Sequence, residues 1–376
     1  MSDPGTAGWK TLAWTTVLLI AAASAGPADV RIFQGHQNGR VEGFEQTDLN
    51  MFQAHPMESF FYSESWNHVL WFEKEGIVLL VNFQLHNLGV NRGNLNVIAI
   101  ISDPSGKENF ELNYFQPSQF QIAEQDFGIS AGGHSIRLED GQYHLVIHGE
   151  KIQADFIFKI LAPSFQMGDG ILYFLRSGDF GRYNDPIPWA EVSGTLSYGG
   201  QARPLRGWVT MSHDWQVLPP SRMVNRGKAF WLYSDQAVIL GSVVSWAELG
   251  DAWVKALMVA GRGRILFSSH DFRLEDLDPK PVPGGGPPCP SRYRVEAVHG
   301  EDWLRGEIKV RRIQQKAELM TYLPGFLRKL AEMFFRETWA YLFLAEFRIE
   351  LHVEGTTRVL QGTGLGNFME SAAPHR

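Results

Sequence analysis

Between about residues 57 and 176, apolar side chains return at every second position, the spacing of strands with one face in a core and the other face elsewhere. The clearest run is Ile152 to Ile160. There Ile152, Ala154, Phe156, Phe158 and Ile160 share one face, and Gln153, Asp155, Ile157 and Lys159 share the other. Just before it, Tyr143, Leu145 and Ile147 alternate with His144, Val146 and His148, and Asp140-Gly141 supplies the turn that opens this strand. Ile77–Leu85 and Asn94–Ile101 are longer and more apolar, which predicts central strands joined by a turn through Gly89 and Gly93. No alternation of strands with helices appears, so a parallel dinucleotide-binding sheet is excluded. The run Gly362-Thr363-Gly364-Leu365-Gly366 has no helix after it and so lacks the context of a phosphate loop.

A second block of strands is expected from about Ser193, after an irregular stretch from Gly168 to Trp189 rich in Gly, Asp, Tyr and Pro. It ends near residue 362 and contains two other features. Pro279 to Pro290 carries proline at six of twelve positions and reads as an exposed loop. From about 323 to 337, Phe326, Leu327, Leu330, Met333 and Phe334 recur at helical spacing behind Pro324, which predicts one amphipathic helix. Its apolar face suits packing on a barrel wall, and secondarily transient contact with a membrane. Many short strands separated by turns predict an all-β protein of antiparallel barrels or sandwiches. The length of 376 residues accommodates two such domains, read here as 26–185 and 186–371.

Composition removes several function classes. With 34 Lys+Arg against 41 Asp+Glu the formal charge is -7, and no basic run is present to neutralise a phosphate backbone, so nucleic acid is not expected as a partner. Cys289 is the single cysteine, which excludes intramolecular disulfides and cysteine-based metal sites, and its Pro-rich surroundings predict an exposed, chemically bland thiol. Residues 12 to 25 form an apolar stretch of signal-peptide length that closes on Ala23-Ser24-Ala25. Cleavage there predicts an exported protein; retention predicts a membrane-facing segment and a membrane-associated chain.

Chemistry-bearing motifs are sparse. His144 and His148 have the spacing of helical metal ligands but fall on a strand, so no metal site is expected, and no cofactor motif is present. No Gly-x-Ser-x-Gly elbow or Walker loop occurs. The remaining polar cluster is Trp208, Ser212, His213, Asp214 and Trp215, where a His beside an Asp between two Trp would place a proton donor in an apolar cavity. A satisfied hydrogen-bonded corner at a strand end is the competing structural reading of the same residues.

Four segments together resemble one superfamily. They are Glu58-Ser59-Phe60-Phe61-Tyr62; Gly141-Gln142-Tyr143-His144-Leu145 with Ala154-Asp155-Phe156, Pro163, Gly168 and Asp169; Gly207-Trp208-Val209-Thr210-Met211-Ser212-His213-Asp214-Trp215; and Leu323-Pro324-Gly325-Phe326-Leu327-Arg328-Lys329 with Tyr341 and Gly364-Leu365-Gly366 through Glu370. They are similar to the lipocalin-like superfamily that contains the fungal survival factor family, the bacterial carotenoid hydratases and the lipocalin-like Diels-Alderases. The third segment is similar to the His-x-Trp element of the hydratases, except that Gln216 stands where that motif usually has Gly. The fourth is most similar to the survival factor branch, which is typically cytosolic, whereas this chain opens with an export-like segment.

The resemblance implies two lipocalin-like β domains with an apolar cavity for a lipid or polyene. Two functions follow from it as expectations. The first is binding or transfer of a hydrophobic lipid, ceramide-like or isoprenoid, linked to survival under oxidative stress. The second is a cofactor-free hydratase or cyclase working in the same cavity. A third class, an interaction module whose barrels are filled by side chains, is also consistent with the composition. For the enzyme, His213 and Asp214 are the expected catalytic residues with Asp185 and Glu370 as further acids, and Trp189, Trp208, Trp215 and Trp246 are the expected ligand-facing aromatics.

Overall fold

In the computed structural model the described residues are 30–32, 49–87, 92–106, 108–123, 126–174, 177–218, 224–246, 253–318 and 338–371. The segment 1–25 and the helix expected at 323–337 lie outside them. Among the described residues no helix is long and apolar enough to cross a membrane.

The fold is all-β, with two antiparallel barrel-like domains. The first sheet has thirteen strands and is nearly closed. At its centre, Tyr62–Phe72 pairs on one side with Ile77–His86 and on the other with Gln201–Val217, which in turn pairs with Phe180–Tyr198. Ile152–Ile160 follows next, showing strict buried and exposed alternation up to Lys159. The second sheet is a half-barrel of nine strands, bounded by Arg264–Ser269 at one edge and Phe272–Lys280 at the other.

Three sequence expectations need correction. The stretch Gly168 to Trp189 is not irregular: it holds Ile171–Phe174 and the start of the nineteen-residue strand Phe180–Tyr198. Pro186 and Pro188, which lack the ladder N–H, are accommodated by register shifts between Asn184 and Ile187 and between Ile187 and Ala190. The expected division at 185/186 falls inside this strand, and the first sheet runs on to Val217. Cys289 is not an exposed loop thiol. It opens the strand Cys289–His299 opposite Lys280, is 3% exposed in the second core, and its thiol is pushed up to about 11 by burial.

Each sheet wraps its own core. The first is filled with side chains, among them Phe52, Phe127, Tyr143 and Phe158 in a continuous aromatic stack, with Phe72 on Phe156 at 5.3 Å. A third cluster joins the two domains: Val69, Trp71 and Trp189 on the outside of the first sheet meet Tyr233, Leu240 and Leu365 of the second. Polar clasps flank it. The Gln314 side-chain amide donates to the carbonyls of Gly76 at 3.0 Å and Ser102 at 3.1 Å, and the Thr210 and Tyr233 hydroxyls lie 3.0 Å apart. Val78 and Leu80 turn toward this junction, so Ile77–Leu85 is apolar on both faces, whereas the outer residues Ile98 and Ile100 of Asn94–Ile101 pack in a separate small cluster with Phe110 and Leu112.

Close strand approach makes one glycine a sensitive position. A Cβ on Gly207 would fall 2.1 Å from the Trp71 carbonyl oxygen across the pair of strands that carries the site described next. Gly207→Ala is expected to lose on the order of 1–3 kcal/mol of unfolding free energy in urea titration, and unchanged stability would refute this contact.

Candidate functional site

Alternation along Gln201–Val217 decides which residues can meet. Val209, Met211, His213 and Trp215 face the first core, so His213 and Asp214 point to opposite sides of the sheet and do not form a catalytic pair. Trp208 lies on the Asp214 side.

On the inner side His213 meets residues that sequence reasoning did not single out. Cross-strand pairing sets His213 against Trp66, which brings Glu64, two residues earlier on the same face, beneath the imidazole. The His213 Nε2 lies 2.9 Å from Glu64 Oε1, and its Nδ1 lies 2.6 Å from the Met51 carbonyl oxygen. A carbonyl can only accept, so Nδ1 carries a proton, and a second proton is held between Nε2 and the carboxylate. Trp66 stacks on the ring at 4.7 Å and 12°.

Glu64 has no exposure to water, yet it is well supplied with donors. Tyr62 Oη donates to Oε2, the backbone N–H of His55 donates at 2.9 Å, and His55 Nδ1 lies 3.0 Å from Oε1. Burial alone would raise this carboxyl. The bonds from His213, His55 and Tyr62, together with the charge on His213, outweigh it and bring Glu64 down to about 2.

His55 belongs to the segment that precedes the strand Tyr62–Phe72. That segment is pinned in place by the bond to the Met51 carbonyl and by Trp66 Nε1, which donates to the Phe52 carbonyl at 2.8 Å, while Phe52 itself is fully buried. The His55 ring stacks on Trp215 at 3.8 Å and 5°, and the Arg182 guanidinium lies over the same indole at 5.3 Å. Its side chain is 34% exposed. With Nδ1 turned to Glu64, its Nε2 has no hydrogen-bond partner among the described residues. The arrangement is an imidazole whose tautomer and orientation are fixed by a buried carboxylate, leaving the second nitrogen to face solvent.

His55, Glu64 and His213 also offer three ligand atoms within 4.8 Å of one another, the donor types of a metal centre. Both imidazole nitrogens reach the same carboxylate oxygen at hydrogen-bond length, 3.0 Å from His55 and 2.9 Å from His213.

The outer side holds a separate acidic group. Asp214 accepts from Asn67 Nδ2 at 2.7 Å, and Asn67 accepts in turn from the amide of Asn82. Burial raises Asp214 to about 7 against the Asn67 bond, with the charges of Glu64 and Asp185 adding to the rise. Burial likewise raises Asp185 to about 7. Of the other expected residues, Trp189 is fully buried and Trp208 lies 5.7 Å from it, stacked on Tyr233 at 6.2 Å, so both pack where the domains join. Trp215 is brought to the His55 site, whereas Glu370 belongs to the second sheet opposite Arg226. Trp246 ends the strand Ala237–Trp246, and its side chain is outside the described residues.

His55 and Glu64 were invisible to motif reading because their partner, His213, lies 149 residues from Glu64 and is delivered by strand register alone. The one available signal was Glu64 itself, a charged residue on the apolar face of an alternating strand between Tyr62 and Trp66.

No family model and no curated protein matches the chain. Solved structures do. A protein assigned as AttH from Nitrosomonas europaea is 15% identical with a TM-score of 0.61, covering 88% of this chain and 98% of that one. Kievitone hydratase from Nectria haematococca is 13% identical with a TM-score of 0.53, covering 94% and 98%. At these identities the likeness establishes the fold alone.

The two carboxyls on either side of the sheet give opposite pH signatures. Glu64 is depressed, so its stabilisation is present above about pH 4.5 and is lost as the pH falls toward 2. Asp214 is raised, so ionising it costs stability as the pH climbs from about 3.8 to 7. Glu64→Gln is expected to destabilise at pH 7 by on the order of 3–5 kcal/mol, with the gap to the parent narrowing in acid. Asp214→Asn is expected to gain relative to the parent at pH 8 and not at pH 4. Denaturant titrations at the three pH values check both, and parallel pH dependence of the two variants would refute the assignment.

Proposed function

We propose that this chain is a cofactor-free acid–base catalyst acting on a small apolar molecule, adding water to an activated double bond or removing it. The observation that carries the reading is His55: Nδ1 held on a buried carboxylate, Nε2 without a hydrogen-bond partner among the described residues on a side chain 34% exposed, and the ring flat on Trp215. A neutral imidazole in this state is a base. It takes a proton from water as the oxygen bonds to the β-carbon of a conjugated carbonyl compound. The π electrons move to the α-carbon and carbonyl, and His55 Nε2–H then returns the proton to the α-carbon. Base and acid are one group, and the protein ends as it began. The Glu64 carboxylate stabilises the transient imidazolium, and Trp215 offers both an apolar platform and a π face for its charge.

The comparison with kievitone hydratase supports this chemistry at the level of a shared fold, as does the likeness of His213 and Trp215 to the His-x-Trp element. The filled first core supports a substrate that docks at the His55 end of the barrel rather than inside it. Binding or transfer of a hydrophobic lipid is the alternative that the fold also accommodates. Of the residues that carry the survival-factor likeness, 323–329 lie outside the described residues, while Tyr341 falls on the strand Thr338–Val353 and Gly364 to Glu370 on Thr356–Ser371.

An aryl enone such as benzalacetone in D₂O separates the two. Catalysis is expected to place deuterium at the α-carbon, detected by NMR, and His55→Asn is expected to slow this by about 10²–10⁴-fold without unfolding the protein. Binding of the enone with no exchange in either protein would remove the catalytic reading and leave the carrier.

A further inference from the structure

The open edge of the second half-barrel holds a cleft unrelated to the His55 site. Its volume is about 550 Å³, within the range of small-molecule sites. Val243, Trp253, Phe272 and Leu274 give it apolar walls, and Val243, Phe272 and Trp253 continue directly into the second core. Two lysines enter on the concave side, because Lys228 shares a strand face with the core residues Phe230 and Leu232, and Lys255 with Leu257 and Val259.

The lysines differ in how they are matched. Lys228 Nζ is bound to both carboxylate oxygens of Asp276 at 2.6–2.7 Å, and Arg273 is paired with Glu275 at 3.6 Å. Lys255 is half-buried and has one acceptor, the Phe272 carbonyl at 2.8 Å, with no carboxylate partner among the described residues. A partly desolvated ammonium with spare donors beside aromatic walls calls for an anion. Asp271 and Glu296 also line the cleft and oppose a second negative charge on whatever enters.

We propose that this cleft binds an amphipathic monoanion, a carboxylate with a hydrocarbon tail, its head on Lys255 Nζ and its chain against Trp253, Phe272 and Val243. The site is independent of the acid–base reading, and the ligand need not be that reaction's substrate. Among the described lining residues Lys255 is the cation without a carboxylate partner, so one charge is selected, and the apolar walls select the tail.

Isothermal titration of the full chain with octanoate, decanoate and decanol tests it. Two added methylenes bury about 1.6 kcal/mol, so decanoate is expected to bind on the order of tenfold more tightly than octanoate. Decanol, lacking the charged head, is expected to bind at least tenfold more weakly than decanoate. Lys255→Met is expected to bring decanoate to the level of decanol while leaving decanol unchanged. Val298 is 70% exposed at the lip, so Val298→Trp keeps the fold, checked by circular dichroism, and is expected to block both ligands. His55→Asn is expected to leave all three affinities as they are. The proposal is overturned if none of the three binds, if acid and alcohol bind alike, if neither cleft variant weakens decanoate, or if His55→Asn abolishes its binding.

Discussion

A carboxylate removed from water has to replace its hydration with donors, and the first domain is organised around meeting that demand at Glu64. Tyr62 comes from the same strand, His213 from across the sheet, and His55 from the segment that precedes the strand, supplying both backbone and side chain. Remove the charge and the reason for each of these placements goes with it. His213 then has no partner for Nε2, and the segment loses the bonds that hold it at the His55 amide and ring. Stability and chemistry at this end of the barrel thus share a single origin.

The same few strands serve three purposes by using both faces. Tyr62–Phe72 and Gln201–Val217 turn Trp66 and His213 inward, Asn67 and Asp214 outward, and further along present Trp71 and Thr210 to the second domain. Two acid–base groups of opposite character sit on consecutive residues without direct contact. His213 is built into a saturated network. Asp214 has one amide donor and neighbouring negative charge, and it keeps its proton to about pH 7.

Much of the architecture could be read directly. The alternation from Ile152 to Ile160 is reproduced residue by residue, and Asp140-Gly141 makes its turn with φ values of 50° and 74°. What resisted reading has specific causes. Pro186 and Pro188 argued against a strand, because bulges that absorb missing N–H groups leave no trace in periodicity. The run Pro279 to Pro290 reads as an exposed loop, but its flanks pair as a hairpin, Pro279 with Pro290, and that pairing draws the thiol into the core. The site was half legible: His213 and Trp215 were identified from their setting, while His55 and Glu64 depend on a register set between strands far apart in the chain. The role of Lys255 has no sequence signal, since it depends on which carboxylates among the described residues the fold brings near it.

His55 is carried by the irregular stretch before the strand Tyr62–Phe72, and that stretch is fastened to the barrel largely through its own main chain: the Met51 and Phe52 carbonyls and the His55 amide. Main-chain fastening is indifferent to side-chain identity. Position 55 is therefore a replaceable fitting on a fixed bracket, and descendants of this scaffold could exchange the reactive group, or dispense with it and keep only a binding surface, while the barrel beneath remains the same.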